Sequence, residues 1–352
     1  MATRADMAAA LALDPTSPTK TFVLEVHTDD PTAYLADMVG RSGLEATEDA
    51  YLFRAHVGEN VFWVDQLNER FWSFHTDMPV REASAFLREQ IERRRDLDWM
   101  WLPSGHLRHV WPDSVSRQVR TRFSGERFLP DDSAVSDLRV QLSGRSAEQL
   151  LDLIEANPVY SSAVSFDSVQ TTVAVQELGV VTEGVNRMGR FAAFGDSFEL
   201  HLAFIRTVVN HYRRFVELCE RKAVGWDRLP DGGGVVSGGP ITIRFHRPIE
   251  DMERFVAELL AVRRPFRLWG VPDIVSGTAQ IEAVDLHVGQ RLRFDIGQEW
   301  LRVYLERGSC GNTVARLVSN LQHHFDGALS LADPELDAAA SAQRRSVSAL
   351  SN

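Results

Sequence analysis

Three stretches of this chain carry the same apolar spacing in the same order, and that recurrence narrows the folds open to it. Phe22-Val23-Leu24-Glu25-Val26-His27 precedes Pro31 to Val39, Leu138-Arg139-Val140-Gln141-Leu142 precedes Ser146 to Glu155, and Ile241-Thr242-Ile243-Arg244-Phe245 precedes Pro248 to Val262. Each opening places apolar residues at every second position, the period of a strand with one buried face. Each following segment begins with a helix-start signal: Thr28 or Asp30 before Pro31, then Ser146, then Pro248 in a first turn.

Three closing stretches match in turn. Phe71-Trp72-Ser73-Phe74-His75 precedes a helix from Pro79 to Arg94, Phe198-Glu199-Leu200-His201-Leu202 precedes Thr207 to Arg221, and Trp300 to Leu305 precedes Asn312 to Phe325. Val140 and Leu200 are 60 positions apart, as are Ile243 and Val303, whereas Val23 and Phe74 are 51 apart. Short alternating runs with turn signals fill the space between, such as Gly58-Glu59-Asn60 and Gly289-Gln290. Each copy therefore reads strand, helix, three or four strands, helix. The predicted fold class is α+β: three tandem β-α-β(3-4)-α units with antiparallel curved sheets and helices on one face. This order resembles the topology of the TATA-binding-protein-like fold class. The resemblance is of topology alone, and topology does not fix function.

The predicted boundaries follow from composition. Residues 1–19 are rich in Ala, Thr and Pro and read as a flexible tail. The repeat units fall at 20–97, 136–227 and 240–330. Between the first two, 98–135 is aromatic and Arg-rich, with Trp99, Trp101 and Trp111, so it is expected to pack rather than stay in water. A Gly-rich linker is expected at 228–239 and an Ala/Ser-rich tail at 331–352. The joint Gly308-Ser309-Cys310-Gly311-Asn312 sits where the repeat needs a strand-to-helix connector, with Ser309 or Asn312 as cap.

Composition excludes several function classes. No apolar run approaches the roughly 20 residues of a membrane-spanning helix, and Met7 to Leu13 lacks the basic start of a secretory signal. A cytoplasmic protein with no membrane partner is expected. Cys219 and Cys310 are too few for a disulfide framework and lack metal-ligand spacing. Of 38 basic residues only Lys20 and Lys222 are lysine, a skew typical of a high-GC bacterial genome. A formal charge of −11 argues against generic nucleic-acid binding.

Candidate chemistry is sparse. His106, His109, Asp113 and Ser114 offer the residue types of a hydrolytic triad without a Gly-x-Ser-x-Gly elbow. Cys310 near a helix start lacks an evident base. His323-His324 lacks the i, i+4 spacing of a helical metal pair, and no glycine run forms a phosphate loop. Catalytic residues, metal ligands and cofactors are therefore all expected to be none. Arg88 to Arg127 is the exception to the acidic background: nine arginines against six acids, interleaved with aromatics. Such a segment either tracks a phosphate backbone or pairs with the chain's own acids and a protein partner. The expected function is a non-catalytic binding or scaffold protein holding a macromolecule, with Arg117, Arg120, Arg122, Trp111 and His109 as contacts. A protein partner is favoured, nucleic-acid binding through residues 88–127 is one alternative, and a small-molecule pocket in a sheet-helix cup is the other.

Overall fold

The computed structural model describes residues 1–13, 18–110, 116–130, 133, 135–175, 179–228, 232–261 and 265–342. In chain order the elements are α1 (Arg4–Ala10), β1 (Thr19–Val26), α2 (Pro31–Val39), β2 (Leu44–Ala46), β3 (Leu52–Val57), β4 (Asn60–Gln66), β5 (Phe71–Thr76), α3 (Val80–Arg93) and β6 (Leu97–Trp99). Then come α4 (Ser104–His109), β7 (Ser116–Ser124), β8 (Asp137–Ser143), α5 (Ala147–Glu155), β9 (Phe166–Val175), β10 (Gly179–Asn186), β11 (Arg190–Gly195) and α6 (Phe198–Arg221). The last part holds β12 (Gly225–Arg228), β13 (Gly234–Ser237), β14 (Ile241–Arg244), α7 (Met252–Leu259), β15 (Leu268–Val275), β16 (Thr278–Asp285), β17 (Arg291–Gly297), β18 (Trp300–Leu305), α8 (Asn312–His324), β19 (Ser330–Leu331) and α9 (Pro334–Ala340). The fold is α+β with antiparallel sheets. The chain forms two compact units: Met1–Met100 with Asp113–Gln118 and Ser168–Val209, and Trp101–Pro112 with Val119–Asp167 and Asn210–Asn352.

The sheet of the first unit runs β2-β3-β4-β5-β1-β11-β10-β9. Strand β1 is its hub. One edge pairs with β5 from Lys20 to Glu25. The other pairs with β11 over Thr19 to Phe22 and with β6 over Leu24 to Val26. All eight of its residues are buried, including Lys20, Thr21 and Glu25. The alternation in Phe22–Val26 puts Phe22, Leu24 and Val26 on one face and Val23 and Glu25 on the other, and both faces are covered. Because β11 pairs with β1, strands from the first and second predicted copies share one sheet instead of building two.

In the second unit β15-β16-β17-β18-β14-β19 form a separate sheet. Here the opening strand β14 lies beside the closing strand β18, just as β1 lies beside β5 in the first unit. The second predicted copy departs from that order: its opening strand β8 neighbours β7. Its predicted closing strand at Phe198–Leu202 is instead the first turn of the 24-residue helix α6. Ser197 starts that helix, its Oγ accepting from the Leu200 amide and its carbonyl from the His201 amide. Buried Phe198, His201, Ile205, Val208 and Tyr212 continue a three-to-four spacing that outweighs the local alternation.

Segments expected to be loose carry structure. Residues 4–10 form a helix closed by a Thr3/Asp6 capping box. Met7 and Leu11 pack with Leu52, Trp63 and Phe198. The Gly-rich linker contributes β13, paired with β12 as a hairpin. The C-terminal tail supplies β19, which pairs with β14, and α9, capped by Asp333. Residues 343–352 lie outside the described residues. The aromatic linker packs: Trp99, Trp101, Phe123 and Phe128 are buried. At the 308–312 joint, Gly311 rather than Ser309 or Asn312 takes the N-cap position. Gln290 holds the joint, accepting from the Cys310 amide at 2.6 Å.

Arg4 ties α1 to the sheet. Its Nη atoms donate to both Asp65 oxygens at 2.8 Å, and its Nε to Asp49 at 2.5 Å. Asp65 is only 1% exposed and Arg4 37%. Arg4→Met strands a buried carboxylate. The expected loss is about 2 kcal/mol, below the roughly 3–5 kcal/mol of a fully buried pair because Arg4 is partly solvated. Urea unfolding measures it, and adding Asp65→Asn should recover most of the loss. An unchanged midpoint in the single variant would refute the role of Arg4.

Candidate functional sites

Among the described residues, three places within the units concentrate chemistry. The first is a line of side chains in the first unit, all of them fully buried: Ser73, His75, Thr21, His201 and Glu183. Ser73 Oγ is 2.8 Å from His75 Nε2, and Thr21 Oγ1 is 2.7 Å from His75 Nδ1 and 2.8 Å from His201 Nε2. His201 Nδ1 is 2.6 Å from Glu183 Oε2. Period-two placement on β1 and β5 aims Thr21, Ser73 and His75 at one face, and α6 supplies His201.

Glu183, His201 and Thr21 meet the distance test of an acid–His–hydroxyl triad. They fail its access test, since none of the three has solvent exposure. Their arrangement suits a structural network that satisfies buried polar groups.

Donor counting allows two proton arrangements. With Glu183 ionised, His201 donates Nδ1–H to it, Thr21 donates to His201, His75 donates Nδ1–H to Thr21, and Ser73 donates to His75. With one proton more, every bond reverses. Glu183 then donates to His201, both histidines carry Nε2–H, and Ser73 donates to the Asp65 carbonyl 3.3 Å away. Neither arrangement needs an imidazolium. Burial pushes the Glu183 carboxyl above its usual range, against the hydrogen bond from His201. Burial, with repulsion from His201, holds His75 well below the ordinary histidine value.

The second place is a cavity of about 350 Å³ wholly within the second unit, lined by residues that include Ser104, Arg108, His109, Glu155, Phe166 and Gln322. Arg108 Nη1 donates to both Glu155 oxygens at 2.9 and 2.7 Å, and its Nη2 to Asp152 at 2.5 Å. The guanidinium lies 5.9 Å from the Phe166 ring centre. The Ser104 amide donates to Gln322 Oε1 at 2.8 Å. His109 donates Nδ1–H to the Gly105 carbonyl at 2.9 Å.

The third place is the outward face of the six-stranded sheet. Strands β15 to β18 alternate buried and outward residues. The outward set carries Trp269, Val271 and Val275 on the edge strand β15, 52%, 62% and 59% exposed. Arg291, Arg293, Arg302 and Arg244 follow on β17, β18 and β14. Arg302 lies 4.5 Å from the Trp300 ring centre and Arg293 5.7 Å from that of Tyr304.

His109 lines the cavity, whose lining contains neither Arg120 nor Arg122. Arg120 and Arg122 share the exposed face of β7, with Val119, Thr121 and Phe123 buried between them. Arg117 lies in β7 as well. Trp111, Asp113 and Ser114 fall outside the described residues. Elsewhere in the basic segment, Arg94 pairs with Asp37 at 2.7 Å and Arg93 with Glu89 at 2.6 Å. With Arg108 these arginines serve the chain's own acids. The buried line escaped sequence reasoning because its members come from four elements far apart in the chain, β1, β5, β10 and α6. The available signal was a histidine inside each of two apolar runs, Phe71–His75 and Phe198–Leu202.

Two outcomes test these assignments. Thr21 accepts from one ring and donates to the other in either arrangement, so nitrogen-15 shifts should report the same tautomer on His75 and His201, Nδ1–H on both or Nε2–H on both. Opposite tautomers on the two rings would refute the shared line. His106 in the second unit is fully buried, and burial lowers its pKa from 6.5 to about 4. Its native form is neutral while the unfolded chain gains a proton below 6.5. Stability is therefore full above pH 6.5 and falls toward pH 4. A shift of this size is worth about 3 kcal/mol. Denaturant midpoints across that range should fall less in His106→Gln than in the parent.

Among the described residues no helix is long and apolar enough to cross a membrane. No solved structure matches the chain. An archaeal relative, "Uncharacterized protein MJECL33" of Methanocaldococcus jannaschii, is 23% identical over 349 residues, covering 87% of this chain and 84% of its own length. The family model described as "MJECL33-like protein" matches residues 14–339. With nearly its whole length inside that match, the chain belongs to the MJECL33-like protein family.

Proposed function

We propose that this is a non-catalytic binding protein of the cell interior that holds a macromolecular partner on the outward face of the six-stranded sheet. What carries this reading is the exposure of Trp269 and Val271 side by side on β15, with Val275 beyond Asp273 on the same face and four outward arginines on β17, β18 and β14. Contiguous apolar groups rimmed by charge are the usual mark of an interaction surface. We further read the strands β2-β3-β4-β5-β1 and β15-β16-β17-β18-β14 as copies of one TATA-binding-protein-like module, on their common order. In the first of these copies β1 is buried on both faces, whereas the second keeps one face open.

Against nucleic-acid binding through residues 88–127 stands the burial of Trp99 and Trp101, which removes two stacking groups. Arg94 and Arg108 are also engaged by acids. Arg120 and Arg122 remain exposed. A small-molecule role is favoured by one observation, the cavity with Arg108, Glu155 and His109 converging on it.

Photo-crosslinking separates these readings. With p-benzoyl-phenylalanine replacing Trp269, light should yield adducts of a macromolecule in cells, absent when the same group replaces the exposed Leu153. Nuclease treatment distinguishes nucleic acid from protein in the adduct. A signal no stronger at 269 than at 153 overturns the platform and leaves the ligand cavity as the better account.

A further inference from the structure

The outward face has a chemical pattern that specifies its occupant more closely than "macromolecule". Strand register sets it out in rows. Trp269, Val284 and Arg291 form one row, and Val271, Glu282, Arg293 and Tyr304 the next. Asp273, Gln280, Asp295, Arg302 and Thr242 form the third. Trp300 and Arg244 end the fourth. An apolar margin on β15, interrupted by Asp273, thus lies across β16 from a diagonal of arginines running from β17 to β14.

The arginines differ in availability. Arg293 is held by Asp295 at 3.0 Å. Arg244 and Arg291 form no ion pair among the described residues, and both are exposed. Arg302 rests on the Trp300 ring, which in turn lies across Gly297, whose added Cβ would come within 2.6 Å of that ring. A guanidinium seated over an aromatic ring is held in place with its donors still available, and such a fork can grip a carboxylate in two places.

Charge and stacking discriminate among occupants. Asp273, Glu282 and Asp295 stand among the four arginines, so an evenly charged polyanion would meet carboxylates as well as arginines, whereas a peptide can set its few carboxylates opposite the arginines alone. Trp300 and Tyr304 carry arginines over their rings, which removes them as platforms for bases. Val271 and Val275 offer aliphatic surface that suits side chains rather than nucleotides. Pro272 withholds a main-chain donor from β15, so the free edge is a poor place to add a strand.

We propose that this face binds a short polypeptide segment combining acidic and apolar side chains. Its carboxylates meet Arg291, Arg302 and Arg244, and its apolar groups cover Trp269, Val271 and Val275. The proposal rests on the platform reading above and adds the chemistry of the partner. Five strands are about 19 Å across, which roughly six extended residues span.

Fluorescence anisotropy on the full chain tests it with three labelled probes: a nine-residue peptide of Glu, Leu and Ser, the same peptide with Lys for Glu, and a 20-nucleotide oligothymidine. The acidic peptide should bind at least ten-fold tighter than the other two. Arg291→Glu with Arg302→Glu should reverse the preference between peptides. Trp269→Ser with Val271→Ser should weaken both peptides about ten-fold and leave their order intact. All four positions face solvent, and circular dichroism checks that the variants fold. Preference for the lysine peptide or the oligonucleotide overturns the acidic partner while the crosslinking result still stands for a platform. Absence of binding by any probe, or binding untouched by both double variants, overturns the proposal outright. Failure of the crosslink at 269 removes the platform and the partner together.

Discussion

The first unit is organised by the need to satisfy polar groups around β1, a strand covered on both faces. One face of β1 presents Phe22, Leu24 and Val26, with Phe22 6.4 Å from the Trp99 ring centre. The other presents Thr21 and Glu25, which cannot be left without partners in an apolar interior. Thr21 is met by His75 and His201, and Glu25 by Arg70. The helix α6 is thus seated by a hydrogen bond as well as by apolar contact. That adds directional specificity to packing, because a helix rotated by one residue would lose His201 from the line.

The second unit meets the same constraint differently. Helix α8 is buried on every side, so its polar residues need internal partners. Arg316, fully buried, pairs with Asp285 on β16 and donates Nε–H to the Phe266 carbonyl at 2.8 Å. Thr313 bonds the same carboxylate, and the His287 amide donates to it at 3.0 Å. Three donors on one carboxylate compensate its desolvation. Removing either charged partner would strand the other, so the pair adds more to the uniqueness of packing than to stability.

Much of the strand pattern was legible because alternation is a local signal. Phe22–Val26, Phe71–His75, Ile241–Arg244 and Trp300–Leu305 all form strands where their spacing places them. Phe198–Leu202 did not, because five residues of alternation cannot be told from the first turn of an apolar helix. The pairing of β1 with β11 was not legible, since edge-to-edge choice depends on contacts 168 or more positions apart (Phe22 with Arg190 at its nearest) that leave no local mark. Met7 and Leu11 belong to a run that looked too short and too Ala-rich to matter. They are held because Arg4 finds Asp65 and Asp49. Of the candidate contacts, His109 reached a cavity because it shares a helix turn with Arg108. Neither the cavity nor the buried histidine line could be inferred without knowing which distant elements meet.

Arginine usage joins these observations. In a chain with 36 arginines and a net charge of −11, most described arginines that touch structure do so through the chain's own acids. Arg4, Arg70, Arg94, Arg108 and Arg316 each bind a carboxylate, in several cases a buried one. An exposed cation is inexpensive in water and needs no partner. What distinguishes the outward sheet face is the setting of its arginines: two lie on aromatic rings, on a face whose edge strand exposes apolar groups that gain nothing from exposure. Internal stability does not require that combination, because the opposite face of the same sheet already holds Phe294, Ile296, Leu301 and Val303 in the core. A surface that departs from what folding demands is the natural place to look for what the protein holds.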